Sequence, residues 1–297
     1  MRQDEAGKVQ DLAPGLRGLI APNPGPMTHW GTNTFLIGER EIAIVDPGPV
    51  DAAHLDAILA AVRDATVTHI LVTHAHLDHS PLAAELSQRT GAPVYAFGDA
   101  AAGRSETMAR LAAEGLAGGG EGVDTGFTPD ISLRDGEKIS GEDWLLEVLH
   151  TPGHFASHIA LRYGDTLLSG DHVMDWSSSL VSPPDGDLRR FMETSRRLRD
   201  MDRLTFFPSH GGPLTDPSDR LGWLIAHREK RESSILNALT FHPQQIGIVT
   251  AAVYHDIPEA MRPAAERNVF AHLIDLVERK VVIAEPELSQ SAGYKLA

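Results

Sequence analysis

The sequence predicts an α/β fold for roughly its first 217 residues and a small helical module after them. Three observations carry that reading. Short apolar runs rich in β-formers alternate with helical patterns through the first part. Four of these runs end in loops that carry His or Asp, as strand ends gathered on one rim of one or two packed sheets would. After Pro217 the pattern turns helical and closes on two short β-type runs. At roughly 150 residues per domain, 297 residues suit one large domain and one small one.

Taken in order, Asn33–Ile37 and Glu41–Val45 read as a hairpin around Gly38, Glu39 and Arg40. Asp51 caps a helix in which Leu55, Ile58, Leu59 and Val62 make one apolar face at i, i+3, i+4 and i+7. His69–Val72 is a strand of the buried type. The polar run THAHLDHS follows it, and Pro81 opens a helix ending near Gly91. Further on, Trp144–Leu149 runs into HTPGH, Ile159–Tyr163 turns at Gly164 and Asp165 into TLLSGD, and Leu204–Phe207 runs into PSHGG. Leu116–Asp130, rich in glycine and poor in apolar residues, reads as a mobile loop, a surface insertion in preference to a lid. Helical patterns cover 219–239, Thr250–Tyr254 and Ala264–Arg279, the last with Val269, Leu273, Leu276 and Val277 inward. A strand begins at Val281–Ile283, and Tyr294–Leu296 returns beside it. Three helices and a terminal hairpin resemble a winged helix.

The chain holds 26 basic and 41 acidic side chains, a formal charge of −15, and no cysteine. A thiol nucleophile, a CxxC pair, an iron–sulfur cluster and cysteine-ligated zinc are therefore excluded, and any metal must rest on His, Asp, Glu and backbone. The charge argues against non-specific binding to nucleic acid or anionic lipid, though it leaves room for a local basic patch. From Arg220 onward nine basic residues balance nine acidic ones, so the excess lies in residues 1–219, where it reads as solvated surface. The N-terminal MRQDEAGKVQDLAPG lacks the apolar core of a secretion signal, and no stretch approaches the roughly 18 apolar residues of a membrane span. A cytoplasmic protein without a membrane partner is expected.

The most informative segment is His74-Ala-His76-Leu-Asp78-His79. Side chains at i and i+2 of an extended strand exit point the same way, so His74 and His76 can reach one metal, while the following turn carries Asp78 and His79 toward a second. Imidazole and carboxylate suit zinc, iron, manganese and nickel.

This segment resembles the HxHxDH motif of the metallo-β-lactamase-fold hydrolases. Counterparts of that family's other ligands follow in order: His154 in TPGHFASH, Asp171 in LSGDH and His210 in PSHGG. The resemblance implies that His74, His76 and His154 hold one metal, Asp78, His79 and His210 the other, and that Asp171 bridges them. It also implies a four-layer αββα sandwich over residues 1–217, with the winged helix of 218–297 closing one side of the cleft. NPGPMTHWGTNTFLIG and the C-terminal module look like the two-domain beta-lactamase-like protein 2 group, and the bridging aspartate points to a glyoxalase II-like branch. The implied cofactors are two divalent metal ions, zinc first, with iron or manganese as alternatives. Two carboxylates contribute −2 against +4 for two such ions, which leaves room for a bridging hydroxide and an anionic transition state. Structural zinc usually closes a single four-ligand site, so seven ligands favour catalysis. Asp78, His76 and Asp171 are then the expected catalytic residues, Asp78 holding the hydroxide in its attack orientation. Asp46 in IVDPGP resembles the family's aspartate that orients a ligand histidine through its other ring nitrogen; a turn cap ahead of Pro47 and Gly48 is the alternative.

Other residues carry weaker signals. His54, His69, His158 and His172 read as packing or supporting positions. Trp176, five residues after Asp171, lines a substrate pocket or sits in the core. Arg189, Arg190, Arg196, Arg197, Arg199 and Arg203 share a helix with Leu188, Phe191 and Leu198 inward. They form a solvated face offset by Glu193, Asp200 and Asp202, and are the best candidates for a phosphate-contacting surface. Arg267, Arg279 and Lys280 are balanced by Glu266, Asp275 and Glu278, a poor set for reading DNA, so the C-terminal module is expected to pack or to wall the pocket. The leading expectation is hydrolysis of an ester, thioester or lactone in a small molecule. RNA phosphodiester cleavage and iron-dependent oxidation of the persulfide dioxygenase type are the alternatives. A flavin-dependent diiron enzyme would need a flavin domain, a vestigial regulator would have lost ligands, and lactamases with a cysteine ligand are excluded by composition. The oligomeric state is left open.

Overall fold

The computed structural model describes residues 1, 4, 7–119, 122–201 and 204–297. Among these residues fifteen strands form three sheets. The first sheet runs, in spatial and chain order, β1 (Gln10–Ala13), β2 (Leu16–Ile20), β3 (Asn33–Ile37), β4 (Glu41–Val45), β5 (Thr66–Leu71), β6 (Val94–Ala96) and β7 (Ile131–Ser132). α1 (Ala52–Ala61) joins β4 to the parallel β5, α2 (Leu82–Thr90) joins β5 to β6, and α3 (Glu106–Ala113) precedes β7. The second sheet has the order β12-β11-β10-β9-β8, from β8 (Lys138–Ser140), β9 (Leu145–His150), β10 (Ile159–Tyr163), β11 (Thr166–Gly170) and β12 (Thr205–Pro208).

Apolar alternation dictates how these layers stack. Phe35, Ile37, Val45 and Leu71 on one sheet meet Leu146, Val148, Leu161 and Phe207 on the other and form the central core. The opposite face of the first sheet packs Leu36, Ile42 and Ile44 against Leu55 and Ile58 of α1 and Leu82 and Leu86 of α2. On the far side, Ala160, Leu167 and Phe206 meet Leu198 of α4 (Leu188–Arg199) and Leu221 and Leu224 of α5 (Pro217–Ala238). Two sheets with helices on both outer faces make the αββα sandwich. Every residue of β3 and β11 is buried, as strands covered on both faces require.

The C-terminal module contains α6 (Ile246–Val253), α7 (Arg262–Glu278) and a small sheet of order β13-β15-β14, from β13 (Gln244–Gln245), β14 (Val282–Glu285) and β15 (Gly293–Leu296). Its core also takes Ile235 and Leu239 from the end of α5, and Met108 and Leu111 from α3. The expected division after residue 217 therefore falls at the start of a helix that both cores share. No helix among the described residues is long and apolar enough to cross a membrane.

Strand direction decides where the loops go. β9 and β11 both run antiparallel to β10, and β12 runs parallel to β11, so the C-terminal ends of β9, β11 and β12 share one rim. β4 and β5 are likewise parallel. Backbone bonds from Asn33 N to Ser209 O (2.7 Å) and from Ile159 N to Thr73 O (2.9 Å) stitch the sheets together at that edge.

Candidate metal centre

Five strand ends deliver the site: Asp46 after β4, His74–His79 after β5, His154 after β9, Asp171 after β11 and His210 after β12. All seven expected ligands are buried. They form two groups whose nitrogen and oxygen atoms converge, His74, His76, His154 and Asp171 in one and Asp78, His79 and His210 in the other. His74 Nε2 lies 2.9 Å from His76 Nδ1, which lies 3.2 Å from His154 Nε2. Nitrogens about 2.0–2.1 Å from a shared tetrahedral ion would stand about 3.3 Å apart, so this spacing is close to a metal-binding set. Asp171 Oδ2 lies between the groups, 3.6 Å from His154 Nε2, 3.7 Å from His79 Nε2 and 3.4 Å from His210 Nε2. Asp78 Oδ2 is 3.2 Å from both His79 Nε2 and His210 Nε2. Asp78 Oδ1, Asp171 Oδ1 and His79 Nε2 are buried without a hydrogen-bond partner among the described residues. Buried polar atoms are rarely left so, and a pair of divalent cations together with a water held beside them would satisfy all three.

A supporting network points the rings inward. Asp46, fully buried and at φ 49°, accepts through Oδ1 from Thr73 N (2.8 Å) and through Oδ2 from Thr73 Oγ1 (2.7 Å), His79 Nδ1 (2.9 Å) and Ser209 Oγ (3.2 Å). The Thr73 hydroxyl proton is thus committed to Asp46, so His74 Nδ1, 3.0 Å away, is the donor to Thr73 Oγ1. His154 Nδ1 donates to Leu180 O (2.7 Å) and His210 Nδ1 to Gly31 O (3.1 Å). Each Nδ1 donation leaves Nε2 turned to the centre, as metal-ligating imidazoles require. Gly170 is needed ahead of Asp171, since it has φ 54° and a Cβ there would stand 2.2 Å from His158 Nε2. That nitrogen accepts from Asp171 N (3.0 Å) and fixes the Asp171 backbone.

The electrostatics divide the same way. Burial, reinforced by the neighbouring His154, pushes His76 down to about 3, and burial also holds His74 well below the ordinary imidazole value. Burial opposes protonation of His210 too, but the Asp171 and Asp78 carboxylates push it up to about 10. His79 is raised against burial by Asp78, Asp171 and Asp46. Without metal, protons on His79 and His210 offset the carboxylates; cations would take over that role.

The site opens into a cleft of about 270 Å³ between the sandwich and the C-terminal module, walled by Met27, Met174, Trp176, Leu180, Ile257 and Met261. Trp176 lines this cleft and stacks on His29, ring centres 4.6 Å apart. His158 and His172 support the centre from behind; His172 Nε2 lies 3.0 Å from Ser195 Oγ. His54 bonds Thr34, and His69 stacks on Tyr95. The glycine-rich loop is pinned where it is described: Val123 bridges His76, Leu77 N donates to Gly122 O and Ser80 Oγ to Asp124. Gly120 and Glu121 lie outside the described residues, as do Asp202 and Arg203, which the sequence reading placed with the basic helix. The arginines of that helix have partners mostly remote in sequence. Arg189 pairs with Asp275 and Glu278, Arg196 with Glu229, Arg197 with Asp135 and Arg199 with Asp200, while Arg190 donates to Gly103 O. Sequence reading missed Thr73, Gly31 and Leu180 as orienting groups, two of which act through backbone oxygens.

Fold and site together define an αββα sandwich carrying a buried His/Asp cluster compatible with two metal ions. Residues 27–210 match the metallo-beta-lactamase superfamily and residues 246–290 the beta-lactamase associated winged helix domain. The chain belongs to the metallo-beta-lactamase superfamily. It is 30% identical over 275 residues to a beta-lactamase-like protein 2 homolog of Drosophila melanogaster, covering 87% of this chain and 86% of that one. An atrochrysone carboxyl ACP thioesterase of Claviceps purpurea is 25% identical over 240 residues, 79% of this chain and 68% of that one. A metallo-beta-lactamase family protein of Thermus thermophilus superposes with TM-score 0.75 at 26% identity, covering 97% of this chain and 100% of that one.

Proposed function

We infer that this protein is a hydrolase dependent on two divalent metal ions, zinc first among them, acting on a thioester or a related ester or lactone of a small molecule. One observation carries the reading: two converging ligand groups share Asp171 Oδ2 at the floor of a largely apolar cleft. His74, His76 and His154 would hold one ion and Asp78, His79 and His210 the other, with Asp171 between them. When bound, such ions supply Lewis acidity toward a carbonyl and lower the pKa of water to roughly 7.

The chain's own residues do the rest. Asp78 keeps Oδ1 unpaired beside the cluster, placed to accept a proton from a water and hold it in line with a carbonyl carbon. Asp46 and Thr73 fix the rings of His79 and His74, so donor positions are set before substrate arrives. Trp176 and Met174 offer an apolar seat for an acyl group and exclude bulk water. The similarity to a protein named as an ACP thioesterase puts thioesters ahead of lactones.

RNA cleavage ranks second, because the arginines of α4 are engaged, Arg189, Arg196, Arg197 and Arg199 by carboxylates and Arg190 by Gly103 O. The test is a panel of thioesters, esters, lactones and single-stranded RNA, given to chelated and to metal-reconstituted protein. Metal-restored thioester or ester hydrolysis that falls at least about a hundredfold in Asp78→Asn and His76→Ala is the expected outcome. Activity indifferent to both substitutions contradicts it. RNA cleavage with inert esters moves the second reading to first, and iron with thiol-dependent oxygen uptake favours oxidation.

A further inference from the structure

One wall of the cleft carries a cation with no anion beside it among the described residues. Arg228 of α5 lines the cavity together with Asn268 of α7, Tyr254 at the end of α6, and Ser179. It is 3% exposed, a rare condition for arginine unless a carboxylate or phosphate accompanies it. Its Nη1 donates to Asn268 Oδ1 and its Nη2 to Ser179 O, both neutral acceptors. The Asn268 amide donates to the Tyr254 hydroxyl, which fixes the orientation of the asparagine oxygen. Nε has no partner. Of five N–H donors on a guanidinium, two are thus engaged by protein.

The neighbouring acids are committed elsewhere. Arg228 also borders the cavity behind α5, where Glu229 pairs with Arg196, Glu232 with Arg279, and Asp275 and Glu278 with Arg189. Arg231 adds positive charge, its guanidinium 3.9 Å from the Tyr254 ring centre. Burial pulls the Arg228 guanidinium down to about 10, so it remains charged at neutral pH. The same cleft reaches His76, Asp78, His154, Asp171 and His210 of the cluster, with Met174, Trp176, Ile257 and Met261 among its apolar walls.

We propose that Arg228, presented by Asn268 and Tyr254, is a specificity-determining residue that binds an anionic group, carboxylate or phosphate, carried by the substrate beyond an apolar spacer from the scissile bond. The inference deepens the hydrolase reading and rests on it for the position of that bond. Charge-assisted, forked recognition of this kind is worth tenfold or more in kcat/KM, roughly, over a neutral isostere.

Two matched substrate pairs locate the anion. Pentanoyl and glutaryl thioesters of N-acetylcysteamine differ only at the acyl terminus. Pentanoyl thioesters of pantetheine and 4′-phosphopantetheine differ only on the leaving group. In at least one pair the metal-loaded protein should prefer the anionic member about tenfold or more, and that ratio should collapse in Arg228→Met and survive in part in Arg228→Lys. Asn268→Asp, which keeps the arginine but gives it an internal carboxylate, should lower the same ratio and guards against a folding defect in Arg228→Met. Equal rates within both pairs, or a preference that persists in Arg228→Met and Asn268→Asp, overturns the proposal. Failure of the hydrolase reading would show separately, as no turnover of any member. In that event calorimetry on the chelated protein decides: binding of glutarate or inorganic phosphate that weakens at least about tenfold in Asn268→Asp supports Arg228 as the anion site, and no such binding overturns it.

Discussion

Replacing Asp46 with asparagine changes one heavy atom at the point where both ligand groups are oriented. Asp46 Oδ2 accepts from His79 Nδ1 at 2.9 Å and from Thr73 Oγ1 at 2.7 Å, and Thr73 in turn accepts from His74 Nδ1. An amide can keep its oxygen on Thr73 N, but its NH2 then faces the His79 N–H, two donors in contact. The charge-assisted bond lost is worth about 1.5–3 kcal/mol. Loss of an orienting partner of this kind lowers metal affinity about 10–100-fold, which is about 1.4–2.7 kcal/mol, so two routes agree. Asp46→Asn should therefore bind zinc about 10–100-fold more weakly in a chelator-competition titration, with the ion held by His79 lost first. Folding should suffer less, because the buried pocket keeps its volume. If Asp46→Asn holds both ions within about twofold of the parent affinity, the orienting role assigned to Asp46 is wrong.

Further outcomes follow from the same geometry. Gly170→Ala places a Cβ 2.2 Å from His158 Nε2 at φ 54° and should lower stability by more than about 2 kcal/mol, read from the urea midpoint; an unchanged midpoint would contradict the constraint. Loading metal at pH 7 should displace the protons that Asp171, Asp78 and Asp46 hold on His79 and His210, so the calorimetric heat should vary with buffer ionisation enthalpy; a buffer-independent heat refutes this. His272 is buried with neither ring nitrogen partnered, and burial holds it well below the ordinary imidazole value. The unfolded chain then binds a proton that the folded chain refuses, so beyond the standing cost of its unpartnered nitrogens the titration of this group costs nothing above about pH 6.5 and destabilises increasingly below it. His272→Leu should leave stability at pH 7.5 equal or higher and reduce the acid loss by up to about 1.4 kcal/mol per pH unit below 6.5; a steeper loss in the variant would refute it.

Much of the sandwich is legible locally because its strands and helices keep clean periods. Asp51 accepts from His54 N as a cap should, and Leu55, Ile58 and Val62 are buried as the i, i+3, i+7 spacing asks, with Leu59 half-buried. β6, β7 and β8 are two or three residues long, too short to show alternation, and their existence depends on neighbours far away in sequence. α6 begins at Ile246, four residues before the pattern shows it, because Gly247 interrupts the apolar signal. At the site, five histidines and two aspartates stand at spacings that announce a metal centre. The carbonyls of Gly31 and Leu180 carry no residue-type signal at all. Arg228 lies in the run HREKRE and looks like any solvated helix charge; only the packing of α5 against Asn268 and Ser179 makes it a buried cation. The basic face of α4 reads from sequence as a face offset by acids, and it is one, but beside Asp200 the partners Asp135, Glu229 and Asp275 are remote in sequence.

The central claim, two ions held by seven side chains with Asp171 shared, meets its most direct test in metal stoichiometry. Chelated protein titrated with zinc, and assayed for thioester hydrolysis at each point, should bind two equivalents per chain, with hydrolysis rising as they bind. Asp171→Ala should abolish that paired binding. A single equivalent bound by the parent protein, or hydrolysis at full rate with none, would contradict the account.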